Sequence, residues 1–393
     1  MNPSLKNWLT EYYHHYQENK TELKLSDDIS LDLYHYIRTS GILFGIPLNL
    51  QTEAPPLFDN WTYKEQYKVI FTDALFTIFD IHNKESNPQE TFEKIENICE
   101  EITDFTGELE NCINKYSVEK GNKILINNYN TNLWLPVLLT AFFYKLEDKI
   151  ISNTYAIKYE LCKILLSASI SNHQIDKEEK VVFKRYINSA DLKEEDEKNL
   201  LQKLKNKEHL EINIDILKQN KLLTYIAFDW ALLIVLSDGI IDEKEYLYLQ
   251  KLAALLDIDE KEMQEHLLFL QNNLDEIYQQ LPYLHQKYNP FKIGKMISHN
   301  IHFLLKKNIG MIAQEIKESK ELLQLLRKSV DTSLSAEEKE KIKNQTYDLL
   351  KTIPSLALFM APGGSLLLPI LLKILPPDLL YPSSFTNEKE KKE

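Results

Sequence analysis

Residues 236–245 read LSDGIIDEKE, and sixty-six positions earlier residues 170–179 read ISNHQIDKEE. The two match without a gap, and the register persists through Asp191-Leu-Lys-Glu194 against Asp257-Ile-Asp-Glu260. A fixed period of this kind marks one supersecondary unit used twice. Each copy reads as an apolar helix, a short acidic turn, and a second helix whose end leads into another acidic cap. Asp176 and Asp242 stand at N-cap positions, where a carboxylate accepts from the orphan N–H groups of the following helix. Glu179 and Glu245 fall three residues on, the spacing of a capping box. The repeat occupies residues 155–275 and points to an all-α, multi-domain protein built from helical bundles.

Upstream, residues 1–150 read as a helical domain. Trp8, Leu9, Tyr12, Tyr13 and Tyr16 recur at helical spacing. Pro88 precedes a second period, from Phe92 through Ile95, Cys99, Ile102, Phe105, Leu109 and Cys112 to Tyr116, which predicts one helix of about seven turns. Leu133–Tyr144 (LWLPVLLTAFFY) is uninterrupted and apolar but only twelve residues long, too short to span a bilayer and suited to a buried helix. The aromatic clusters in GILFGIP and FTDALFTIFDIH read as core packing. No run alternates with the period of a strand.

The bulk numbers agree with this reading. The chain has 393 residues, 44% of them hydrophobic and 27% charged, with only nine glycines. That is long enough for two or three cores. The net charge of −13 argues against broad DNA binding, because an acidic surface is repelled by the duplex. The three cysteines, Cys99, Cys112 and Cys162, have no CxxC or metal spacing and read as free thiols of a reducing compartment. The N-terminus MNPSLKNWLTEYYHHY lacks the pattern of a signal peptide, so a cytoplasmic protein is expected. The signatures HExxH, GxxxxGK and GxSxG and the dinucleotide fingerprint are absent, so neither an enzyme nor a small-molecule substrate is expected.

The charge balance changes toward the C-terminus. No Asp or Glu occurs from residue 277 to residue 314. Within that window Lys292, Lys295, His299, His302 and Lys306 step along one helical face, and Ile293, Met296, Ile297, Ile301, Leu304 and Leu305 occupy the other. This is the pattern of a basic amphipathic helix that docks on anionic lipid or on RNA phosphates, or that pairs with acidic surfaces nearby. Residues 283–386 are read as one C-terminal region, and 387–393 as a charged tail. Ser335 with Glu338 reads as the cap of a helix running to about Thr352. Then come twenty-one residues without a charge, Thr352–Leu372, broken by Pro362-Gly363-Gly364. A proline followed by two glycines divides such a run, so it reads either as an apolar helical hairpin or as a membrane segment.

Two resemblances follow from these residues. SDGIIDEKE (237–245) is similar to the acidic signature of TerB-like helical domains, associated with tellurite resistance and stress, and SNHQIDKEE (171–179) resembles a decayed copy. In that family the acidic turns are suggested to bind metal, which would make Asp238, Asp242 and Glu245 ligands of calcium or another divalent cation. Capping accounts for the same acids with no cofactor at all. The C-terminal stretch resembles the LETM family of mitochondrial inner-membrane proteins. The residues matching in order are Leu334, Glu338, Lys339, Asp348, Leu349, Pro354, Phe359, Pro362, Leu367, Leu368, Pro369, Pro377, Pro382, Ser383 and Phe385. Two departures stand out. The family's Pro-Phe-x-Glu is Pro362-Gly-Gly-Ser here, and the chain ends eight residues after Phe385, where the family continues into a long ribosome-binding-like region. The pairing of a TerB-like repeat with a LETM-like end is similar to bacterial proteins, typical of Bacteroidetes, described as LETM-related and biofilm-associated. These resemblances imply a non-enzymatic scaffold that docks to membrane or ribosome through its C-terminal region and recruits protein partners, with an inner-membrane association. A cation-transport role and a metal- or stress-sensing role are the alternatives.

Overall fold

In a computed structural model the described residues are 7–19, 28–46, 63–82, 87–103, 107–116, 119–121, 128–149, 153–172, 177–238, 241–280, 309–331 and 334–351, with isolated positions between them. The chain divides into two compact units. The first comprises Met1–Asp238, Glu243–Ile258 and Glu276–Gln286; the second comprises Gly239–Asp242, Asp259–Asp275 and Lys287–Glu393. The elements of the N-terminal segment are α1 (Trp8–Asn19), α2 (Ile29–Thr39), α3 (Tyr63–His82), α4 (Pro88–Ile102), α5 (Leu109–Tyr116), β1 (Glu119–Gly121), β2 (Asn128–Asn130) and α6 (Leu135–Leu146). The repeat contributes α7 (Thr154–Ser169), α8 (Lys177–Ser189), α9 (Glu194–Asn206), α10 (Ile214–Lys218), α11 (Lys221–Val235), α12 (Glu243–Leu255) and α13 (Glu260–Gln280). The C-terminal region contributes α14 (Ile309–Glu318), α15 (Lys320–Asp331) and α16 (Ala336–Lys351).

The duplication is visible in the backbone. Helices α8 and α12 begin at Lys177 and Glu243 and end at Ser189 and Leu255, and α9 and α13 begin at Glu194 and Glu260, always 66 residues apart. The two turns that follow α8 and α12 use the same device. Asp191 and Asp257 each adopt a left-handed φ of 56°. Aspartate tolerates that region because its short side chain satisfies local backbone groups.

The core of the first unit is organised around α11. Every residue from Leu222 to Val235 is buried, so this helix is apolar all round and packs along α7, α2 and α12. Burying each Leu or Ile of such a helix stabilises by roughly 1.5–3 kcal/mol. One carboxylate lies among them. The Asp229 carboxylate accepts a hydrogen bond from the Tyr34 hydroxyl at 2.5 Å and faces the Arg38 guanidinium at 3.4 Å. Trp230 donates from Nε1 to the Leu43 carbonyl at 2.8 Å and packs edge-on against Trp134 at 5.0 Å. The N-terminal helices and the repeat thus share side chains in one unit. Leu43 is held in a tight turn between Gly41 and Gly45, whose φ values of 81° and 69° suit residues without a Cβ.

Expectations for the N-terminal segment hold in most places. Trp8, Leu9, Tyr12, Tyr13 and Tyr16 are all buried on α1, and Phe76 stacks on Phe92. Leu135–Tyr144 of α6 is buried throughout. One expectation is corrected: the seven-turn helix is two helices. Helix α4 stops at Ile102, and α5 starts at Leu109. The turn passes through Gly107 at φ 138°, a conformation that L side chains avoid, so the apolar period continues while the helix does not. Strand pairing is also present where none was expected, as three antiparallel residue pairs between β1 and β2.

Candidate docking region

The described part of the C-terminal region is a set of three helices, α14, α15 and α16, that pack on one another. Each is amphipathic and buries one narrow stripe: Ile312, Ala313 and Ile316 on α14, Leu322 and Leu326 on α15, Ile342, Thr346 and Leu349 on α16. The spacing of that last trio, four and then three residues, places them on a single face. Leu305, read as part of the apolar face of the preceding stretch, is likewise buried.

Helix α16 begins as its sequence foretells. Ser335 Oγ accepts from the Glu338 N–H at 3.2 Å, and Glu338 Oε2 accepts from the Ser335 N–H at 3.0 Å. This reciprocal box satisfies two orphan donors at the helix start. The other carboxylate oxygen of Glu338 accepts from Lys328 Nζ of α15 at 2.5 Å. The hydrogen bond from Lys328, followed by that from the Ser335 backbone, holds the Glu338 carboxyl below its ordinary range. About two turns farther along the hairpin, Glu321 accepts from Gln345 Nε2 at 2.8 Å and from Lys341 Nζ at 3.4 Å, and these bonds lower its carboxyl in the same way. Sequence reading missed these clamps between helices. Their signal is weak, since an acid near the start of one helix and a base on the next are common on any surface.

On the outer side of α16, Lys339, Glu340, Lys343, Asn344 and Asp348 are exposed. Leu334 and Glu338 are partly buried at its start. The structure therefore gives different places to the LETM-like residues it describes: Leu334 and Glu338 at the entry of α16, Leu349 facing inward and Asp348 facing outward. Pro354, Pro362, Pro369, Pro382, Ser383 and Phe385 lie outside the described residues, as do Lys292, Lys295, His299, His302 and Lys306 and the apolar run 352–372. Among the described residues no helix is long and apolar enough to cross a membrane.

The acidic turns of the repeat form a second place of interest. Glu179 and Glu245, at equivalent positions of the two copies, are only 2% and 3% exposed. Glu245 Oε1 accepts from Asn172 Nδ2 at 2.7 Å. Asn172 belongs to the first turn at the position that Asp238 holds in the second, so the first turn reaches the start of α12. The second turn in its place packs on α8. Asp242 is partly exposed, and the Asp238 side chain lies outside the described residues. Among the described residues no group of three or more His, Cys, Asp or Glu side chains is arranged to hold a metal ion.

With this geometry in view, residues 334–393 match the family model described as LETM1-like, RBD. No curated protein and no solved structure matches the chain. The matched stretch opens at Leu334, so it includes all of α16 and is not confined to residues beyond Phe385, where the family's ribosome-binding-like region was expected.

Proposed function

We propose that this protein is a non-enzymatic adaptor that docks on the ribosome through its C-terminal region and offers its N-terminal core and repeat to protein partners. The observation that carries the proposal is the match of residues 334–393 to a model whose RBD is a ribosome-binding domain. Physical chemistry supports the same polarity. A ribosome surface is largely RNA phosphate, which a chain of net charge −13 meets with repulsion over most of its area. The stretch from residue 277 to residue 314, free of acids and carrying Lys292, Lys295 and Lys306, is where that repulsion is relieved. In this reading the repeat, TerB-like in its acidic turns, serves as a recruiting module. Its two turns are braced against each other's helices and so form a rigid platform.

The test is sedimentation of the full chain with purified ribosomes through a sucrose cushion, beside flotation with anionic phospholipid vesicles. Co-sedimentation that weakens as salt rises, and that Lys292→Glu with Lys295→Glu and Lys306→Glu removes, is expected. A chain that stays in the supernatant with ribosomes, or that floats with vesicles instead, overturns the proposal in favour of no docking or of membrane docking.

A further inference from the structure

The turn that divides α4 from α5 has a chemical consequence. Cys99 lies on the buried stripe of α4 with Thr91 and Ile95, and Cys112 on that of α5 with Leu109 and Ile113. On one unbroken helix the thirteen intervening steps would hold the two thiols about 20 Å apart. Instead α5 packs back on α4, which brings the two buried stripes and their thiols to the same packed face. The return is tied by two acids of α4. Glu96 Oε1 accepts from the Leu109 N–H at 2.6 Å, and Glu100 Oε1 accepts from the Gly107 N–H at 3.3 Å. Both cysteines are free, and they are 2% and 1% exposed.

We propose that Cys99 and Cys112 are a redox pair that closes to an intramolecular disulfide when the protein meets a hydroperoxide. The surroundings of the two thiols divide the roles. The neighbouring Cys99, and the charge of Lys115 against the opposing effect of burial, lower the Cys112 thiol; the neighbouring Cys112, and burial after it, raise that of Cys99. Cys112 Sγ is therefore the thiolate that attacks the peroxide oxygen. The O–O bond breaks, the departing oxygen takes a proton and leaves as water or alcohol, and Cys112 becomes a sulfenic acid. Cys99 Sγ then attacks Cys112 Sγ and displaces the hydroxyl, which takes the Cys99 proton and leaves as water. Each sulfur gives up one electron, and the peroxide accepts both. Access comes by local opening, because α5 has only eight residues and a helix that short is marginal away from its packing. The inference rests on the fold of the first unit and is independent of ribosome docking.

Cys162 is the internal control. It is buried on α7, where loss of solvent pushes its thiol up. The full folded chain would be treated with hydrogen peroxide, quenched, unfolded and alkylated, and its peptides mapped by mass spectrometry. The expected product loses the mass of two hydrogens, links the peptides of Cys99 and Cys112, leaves Cys162 alkylated, and reverts with dithiothreitol. In the urea-unfolded chain the pairing should lose this selectivity and link Cys162 as well, since only the fold presents one thiol to the other. The linked chain should melt on the order of 5 °C higher, because the bond restrains the unfolded state. Cys162→Ser should keep the link, and Cys112→Ser should lose it. Three alkylatable thiols after peroxide, a link to Cys162 in the folded chain, or the same selectivity in the unfolded chain would each overturn the proposal. Should Cys112→Ser fail to fold, the comparison of folded and unfolded wild-type chains still decides.

Discussion

Helices α11 and α16 are nearly equal in length, fifteen and sixteen residues, yet they are built on opposite principles. All of α11 from Leu222 to Val235 is buried, and its one carboxylate is engaged by Tyr34 and Arg38. Helix α16 buries Ile342, Thr346 and Leu349 and shows charged or amide groups at Lys339, Glu340, Lys343, Asn344 and Asp348. The first is held by the burial of its whole circumference and has no face left for a partner. The second is held by one apolar stripe, a capping box and polar clamps, and most of its described surface remains for contact. The difference separates a region that maintains the fold from one suited to engaging something else.

The sharpest way to break this contrast is at Asp229. Removing it takes a carboxylate from beside the buried Arg38 guanidinium, so Asp229→Ala should cost about 3–5 kcal/mol in the denaturant transition of the full chain, followed by tryptophan fluorescence. A cost under about 1 kcal/mol would mean that the carboxylate is incidental to the core. Ile342→Ala should cost about 2–4 kcal/mol, read as faster amide exchange in α15 and α16, with the exchange of α11 unchanged. The Glu245→Ala variant loses the buried Asn172 bond between the repeat copies, for about 1–3 kcal/mol in the same fluorescence transition. Smallest of all is the effect of acid on the hairpin. Glu321 and Glu338 have carboxyls lowered from 4.5, so their contribution is full above pH 4.5 and is lost as pH falls through the lowered folded values. Glu321 is exposed and Glu338 only partly buried, so amide chemical shifts of α15 and α16 should move at low pH before the first unit unfolds, and added salt should shrink the change.

Much of this was written in the sequence. The 66-residue period appears in matching helix bounds, and Ser335 with Glu338 forms the reciprocal cap its spacing announces. Local signals are legible because a capping box, like an apolar period, is completed within a few residues. The break at Gly107 was masked by an apolar period that runs on through Phe105, so the meeting of Cys99 with Cys112 was hidden as well. Asp229 was equally silent, because an acid inside an apolar helix has meaning only when Tyr34 and Arg38, almost two hundred positions away, arrive beside it. The LETM-like residues divide similarly. Leu334, Glu338 and Asp348 fall in α16 or at its start, whereas the pairing of Glu321 with Lys341 and Gln345 depends on the hairpin and could not be read from spacing.

Amide hydrogen exchange of the full chain, alone and saturated with purified ribosomes, tests the central claim most directly. Slowed exchange in peptides from residue 287 onward, with α16 included and α11 unaffected, is the predicted result. Equal exchange in both samples, or protection confined to the N-terminal helices, would contradict it.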